Sequence, residues 1–69
     1  MGIVESFAAA VRRRRLELRL SQEDLAERSG LDRTYISGVE RGVRNPTLKT
    51  AQRIAEALEI QLRDLLDSQ

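Results

Sequence analysis

The side chains best suited to chemistry in this chain lie in one run, Asp32-Arg33-Thr34-Tyr35-Ile36-Ser37-Gly38-Val39-Glu40-Arg41. At helical spacing Ile36 and Val39 turn inward, which leaves Arg33, Thr34, Ser37 and Gly38 on the outward face. A guanidinium fork matches O6 and N7 of guanine, and a threonine suits a base edge or a thymine methyl. That face is equipped to read bases in a major groove. Bond-making chemistry has little to work with. The chain has no His and no Cys, and Lys49 is its only lysine, so the usual general base, thiolate nucleophile and zinc ligands are missing.

Each candidate has a plainer reading beside the functional one. Arg33 either holds a guanine edge or is a surface arginine that balances Asp32 or touches a phosphate. Thr34 and Tyr35 contact base or backbone, or simply pack. Gly38 in mid-helix costs about 0.5–1 kcal/mol relative to Ala, so its presence needs a reason. Close approach to DNA and close approach to another helix both supply one. Arg41 either contacts a phosphate or complements a helix C-terminus. Gln22 follows a helix start, where free N–H groups and the dipole attract phosphate. Arg44, Asn45, Thr47 and Lys49 straddle another helix start, where a second phosphate would fit, and Arg44 has the further choice of a base or the minor groove.

The elements that must position these groups are helices. The first is expected from about Ser6 to about Arg19, with Phe7, Val11 and Leu18 on one stripe and Arg14 or Arg15 filling its third turn. Ser21 caps the second helix, Asp24 stands three residues on, and Gly30 ends it. Asp32 caps the third and Gly42 ends it. After the loop Arg44-Asn45-Pro46, Thr47 caps a fourth helix whose expected buried stripe is Leu48, Ala51, Ile54, Ala55 and Leu58. A break at Glu59 to Gln61 precedes a short fifth helix carrying Leu62, Leu65 and Leu66. With Ile60, these leucines either cover the core or form a self-complementary dimer patch.

Sixty-nine residues allow one domain, expected over 1–69, with one small core. Leu, Ile, Val and Ala with only Phe7 and Tyr35 as aromatics fit an all-α fold better than a sheet. The net charge is only +1, but it is unevenly spread. Residues 1–20 hold five Arg against Glu5 and Glu17, and residues 32–53 hold four Arg and Lys49 against Asp32 and Glu40. Residues 54–69 set Glu56, Glu59, Asp64 and Asp67 against Arg63 alone. An acidic end turned away from phosphate helps to orient an approach to DNA.

Leu20-Ser21-Gln22-Glu23-x-Leu25-Ala26, Gly30-Leu31, Ile36-Ser37-x-x-Glu40-Arg41-Gly42, Pro46-Thr47-Leu48 and Ile54-Ala55-x-x-Leu58 hold one register across several helices. Over residues 6–66 this pattern resembles the phage repressor (Cro/CI, or XRE) family of DNA-binding proteins. The stretch Leu31 to Arg41 is similar to controller proteins of restriction–modification systems. The resemblance implies a compact five-helix domain whose second and third helices form a helix-turn-helix, binding a near-palindromic operator as a homodimer. It also implies a phosphate clamp at Gln22 and an ion pair between Arg15 and Glu40. Arg14 departs from the pattern, standing where many relatives carry Leu, and would bring extra charge toward the DNA backbone.

The expected function is a sequence-specific transcription regulator with double-stranded DNA as partner, a homodimer, no cofactor, no small-molecule ligand, no membrane span and a cytoplasmic location. The competing readings are an antitoxin-like or adaptor interaction domain, and an enzyme. The first of these wants an apolar or acidic outward face on the third helix, which Arg33, Thr34, Ser37 and Arg41 do not provide. The second lacks residues for the work.

Overall fold

The computed structural model describes residues 2–66; Asp67, counted above in the acidic end, lies outside the described residues. Five helices occur among them: α1 (Ile3–Glu17), α2 (Gln22–Ser29), α3 (Arg33–Glu40), α4 (Leu48–Ala57) and α5 (Leu62–Leu66). Every helix from α2 to α4 starts on a side-chain cap. Ser21 accepts from the Asp24 N–H at 2.9 Å while Asp24 accepts from the Ser21 N–H at 2.9 Å, a reciprocal capping box. Asp32 accepts from the Thr34 N–H at 3.0 Å, and Thr47 from the Thr50 N–H at 3.2 Å.

The first four helices all end the same way, with a residue in the left-handed region and a 6→1 bond closing the last turn. These bonds run from Leu20 N to Arg15 O, Leu31 N to Ala26 O, Val43 N to Gly38 O, and Ile60 N to Ala55 O. Gly30 (φ 73°) and Gly42 (φ 76°) take that conformation without a Cβ penalty, whereas Arg19 (φ 60°) and Glu59 (φ 58°) bear about 1 kcal/mol each. This closure sets the boundary of α1. It starts three residues earlier than expected, from the Gly2 cap, and stops at Glu17 because the chain turns at Arg19.

The helices bury one core, with Leu25, Ile36, Val39, Ile54, Leu58, Leu65 and Val11 almost fully enclosed. α2 packs on α3 and α4, α1 on α3 and α5, and α4 on α5. Small residues permit the close approaches: Ala10 in α1, Ala26 in α2, and Ala51 and Ala55 in α4 are buried. Leu48 corrects the expected α4 stripe. It is the first residue of that helix and is 76% exposed, on the same side as Ile3 and Leu66.

Arginine side chains complete the scaffold by capping helix C-termini. Arg53 donates to Ser29 O (3.1 Å) and Gly30 O (3.3 Å) at the end of α2. Arg14 donates to Leu58 O (3.0 Å) and Glu59 O (3.4 Å) at the end of α4. A cation at a helix C-terminus is favoured by the dipole. The extra charge at Arg14 is therefore held at the end of α4.

Candidate nucleic-acid interface

The first turn of α3 presents Arg33 and Thr34 to solvent, with Ser37 half-buried one turn on. Asp32 fixes this turn, accepting from both the N–H and the hydroxyl of Thr34. The Thr34 hydroxyl and then its N–H hold the Asp32 carboxyl below its ordinary pKa of 3.8. The Ser21 N–H and then its hydroxyl do the same for Asp24. Both carboxylates are charged at neutral pH, each at the positive end of a helix dipole.

Behind this face, a buried ion pair joins α1 to α3. Arg15 Nε donates to Glu40 Oε2 at 2.7 Å and its Nη2 to Glu40 Oε1 at 2.9 Å, with the two side chains 10% and 3% exposed. The third guanidinium nitrogen donates to Leu20 O at 2.8 Å, just ahead of α2. Hydrogen bonding to Glu40 raises the Arg15 pKa further above its ordinary value. Gln22 Nε2 reaches the same carboxylate, Glu40 Oε1, at 3.2 Å. One carboxylate thus fixes the end of α1, the start of α2 and the end of α3. The Gln22 amide is committed to this network, while its N–H lies in the first turn of α2, where a helix leaves donors for an anion.

The turn from α3 to α4 forms the other flank. Tyr35 is half-buried, with its hydroxyl 3.3 Å from Thr50 Oγ1, and Arg44 lies over its ring with Cζ 5.8 Å from the centroid. Arg44, Asn45, Thr47 and Lys49 are all exposed here. The Thr47 hydroxyl is engaged in capping α4. Gly38 belongs to this flank and not to the outward face. It is buried, and a Cβ built on it would lie 2.6 Å from Arg44 Cγ. The close approach that its sequence position demands is to the Arg44 stem. This corrects the expectation that Gly38 faces the bases.

Arg41 stands apart from these groups. It caps the C-terminus of α3 and lines an open recess together with Ala8, Ala9, Arg12 and Arg13 of α1. No local sequence signal marks this grouping, because it depends on how α1 crosses the end of α3.

An apolar cleft begins at the α3–α4 turn, where Asn45 and Pro46 line it. Ile3, Phe7, Pro46, Leu48, Leu62 and Leu66 contribute to its lining, and its volume of about 110 Å³ is below the usual range of small-molecule sites. Ile3 (66%), Leu48 (76%) and Leu66 (39%) are exposed along it. The four tail residues expected as a dimer patch therefore divide. Leu62 and Leu66 line the cleft, Ile60 packs half-buried against the core, and Leu65 is 1% exposed inside it. The dimer assignment of Leu65 is corrected, because its side chain is spent within the protomer. Ile3 and Leu48 were not expected here; the packing of α5 against both α1 and α4 brings them to Leu66.

Among the described residues no group of three His, Cys, Asp or Glu is placed to hold a metal ion, and no helix is long and apolar enough to cross a membrane.

Comparison with known proteins places this geometry among relatives. The family model described as helix-turn-helix matches residues 11–65. The control protein C.SmaI of Serratia marcescens is 51% identical over 69 residues, covering 100% of this chain and 82% of its own length. The crystal structure of the restriction-modification controller protein C.AhdI from Aeromonas hydrophila superposes with a TM-score of 0.87 at 47% identity, over 90% of this chain and 94% of that one. The C.Esp1396I controller tetramer, solved with its natural 35 base-pair operator, gives a TM-score of 0.88 at 39% identity, over 96% and 91% of the two chains.

Proposed function

This chain belongs to the helix-turn-helix family, and from that premise we propose that it is a sequence-specific DNA-binding transcription regulator of the restriction–modification controller type. It works as a homodimer on a near-palindromic operator. The observation that carries this reading is the exposed start of α3, Arg33 and Thr34, locked to the start of α2 through Arg15, Glu40 and Gln22. That lock holds a base-reading surface and a phosphate-binding helix start in one fixed relation.

In this arrangement α3 enters the major groove N-terminus first. Arg33 forks onto guanine O6 and N7, and Thr34 and Ser37 meet neighbouring base edges. The Gln22 N–H, at the start of α2, takes one backbone phosphate. Asn45, Thr47 and Lys49, at the start of α4, take another, with the Tyr35 hydroxyl beside them. Arg44 projects from the same turn, and Arg41 reaches the backbone on the α1 side.

Dimerisation uses the apolar cleft. Ile3, Leu48, Leu62 and Leu66 of one copy meet the same residues of a second about a two-fold axis. Such a dimer sets two α3 helices about 34 Å apart, one turn of duplex. The whole chain, 1–69, acts as one binding unit, and its place is the cytoplasm.

Selection from a pool of random duplexes at two salt concentrations tests this function. The expected product is a palindrome with half-sites one turn apart, bound less tightly as salt rises. Salt-sensitive binding with no enriched motif would reduce the chain to a nonspecific binder, and absence of binding would remove the proposal.

A further inference from the structure

We propose that Gly38 is a positioning residue for Arg44, and that the missing side chain on α3 is what aims this loop arginine at the operator. The inference deepens the DNA-binding reading and rests on it. Three observations converge on the pair. The Gly38 carbonyl accepts both the Val43 N–H (3.0 Å) and the Arg44 N–H (3.2 Å), so the chain leaving α3 folds back over this residue. A Cβ on Gly38 would lie 2.6 Å from Arg44 Cγ, 3.6 Å from its Cδ and 3.5 Å from its Nε. The guanidinium beyond that point rests over the Tyr35 ring, whose hydroxyl is itself held by Thr50 of α4.

The position of the conflict decides the consequence. Cγ is the root of the side chain and its backbone N–H is already bonded to Gly38, so Arg44 cannot yield by bending its tip. A methyl group at residue 38 must rotate the whole side chain or open the turn, and either movement lifts the guanidinium off Tyr35. Glycine is the residue that leaves this groove on α3 open. Gly38 therefore contributes to recognition without touching DNA, by fixing a basic group beside the α3 face. A cation laid over an aromatic ring also keeps fewer rotamers to lose on binding.

The test is a double-mutant cycle of Gly38→Ala and Arg44→Ala, read both as affinity for the duplex enriched from the random pool and as thermal unfolding without DNA. Gly38→Ala is expected to weaken binding about tenfold, close to the effect of Arg44→Ala, with no further loss in the double variant. In unfolding, Gly38→Ala lowers the midpoint when Arg44 is present. It raises the midpoint in the Arg44→Ala background, where the clash is gone and Ala is the better helix former. Wild-type affinity for Gly38→Ala would overturn the proposal. So would an equal loss of binding in both backgrounds, since the glycine would then be approaching DNA itself. If the wild-type chain enriches no duplex, the DNA-binding reading fails. The unfolding cycle then decides the seat alone, and an effect of the same sign in both backgrounds would refute it.

Discussion

Removing Arg15 is the perturbation whose size the structure defines best. Arg15→Ala deletes two charge-assisted bonds to Glu40, at 2.7 and 2.9 Å, and the bond to Leu20 O at 2.8 Å. It leaves Glu40, almost wholly enclosed, with only the Gln22 amide for its charge. Breaking a buried pair from one side costs about 3–5 kcal/mol, because the remaining charge is desolvated and unpaired. A chain of this size has roughly 3–10 kcal/mol of stability in total. At about 4–8 °C per kcal/mol, the variant should melt well over 10 °C below the wild type. Replacing both partners, as Arg15→Met with Glu40→Leu, removes the stranded charge and should recover most of that loss. Urea unfolding followed by circular dichroism on Arg15→Ala, and on Arg15→Met, Glu40→Leu and their double variant, measures the loss and the coupling. A loss below about 1 kcal/mol for Arg15→Ala, or a double variant that equals the sum of the singles, would refute this reasoning.

The apolar cleft separates two kinds of leucine: Leu48→Asp and Leu66→Asp should give folded monomers with weakened operator binding, whereas Leu65→Asp should fail to fold. Light scattering with circular dichroism distinguishes these outcomes, and a dimeric Leu48→Asp/Leu66→Asp variant would contradict the assignment. The helix caps make stability acid-sensitive. Asp24 and Asp32 have folded pKa values below 3.8, so their contribution is complete above the unfolded value and is lost as pH falls through the folded one. Unfolding free energy should be level near neutrality and fall below about pH 4, with a shallower acid limb in Asp24→Asn and Asp32→Asn. Gly42 has nothing within 4 Å of an added Cβ, so Gly42→Ala isolates the backbone cost of φ 76° and should lower stability by about 1 kcal/mol in thermal unfolding.

Much of this fold was legible in the sequence because its signals are local. Ser21 with Asp24, Asp32, Thr47, Gly30 and Gly42 mark helix ends through bonds spanning two to five residues, and the structure has helix ends at each. What escaped the sequence depends on how distant segments cross. Leu48 fits a helical stripe by spacing, yet as the first residue of α4 it projects past the core toward Ile3 and Leu66. Leu65 and Leu66 are neighbours in a short leucine-rich segment, and the way α5 lies against α1 and α4 decides which of them is enclosed. Four consecutive arginines cannot be sorted by spacing alone. Arg15 turns inward to Glu40, Arg14 reaches the end of α4, and Arg12 and Arg13 join Arg41. Gly38 was legible as a demand for close approach, but the sequence could not say to what.

The most direct test of base reading by α3 is the sequence preference of Arg33→Ala beside that of Gln22→Ala, each taken through the same random-duplex selection. Arg33→Ala should lose discrimination at one position in each half-site, a change of about 1–3 kcal/mol confined to that position. Gln22→Ala keeps the phosphate-facing N–H and removes only the side-chain bond to Glu40 that steadies the start of α2, so it should weaken all sequences alike and leave the preference unchanged. An Arg33→Ala variant that enriches the unaltered palindrome would show that α3 does not read the operator through this residue.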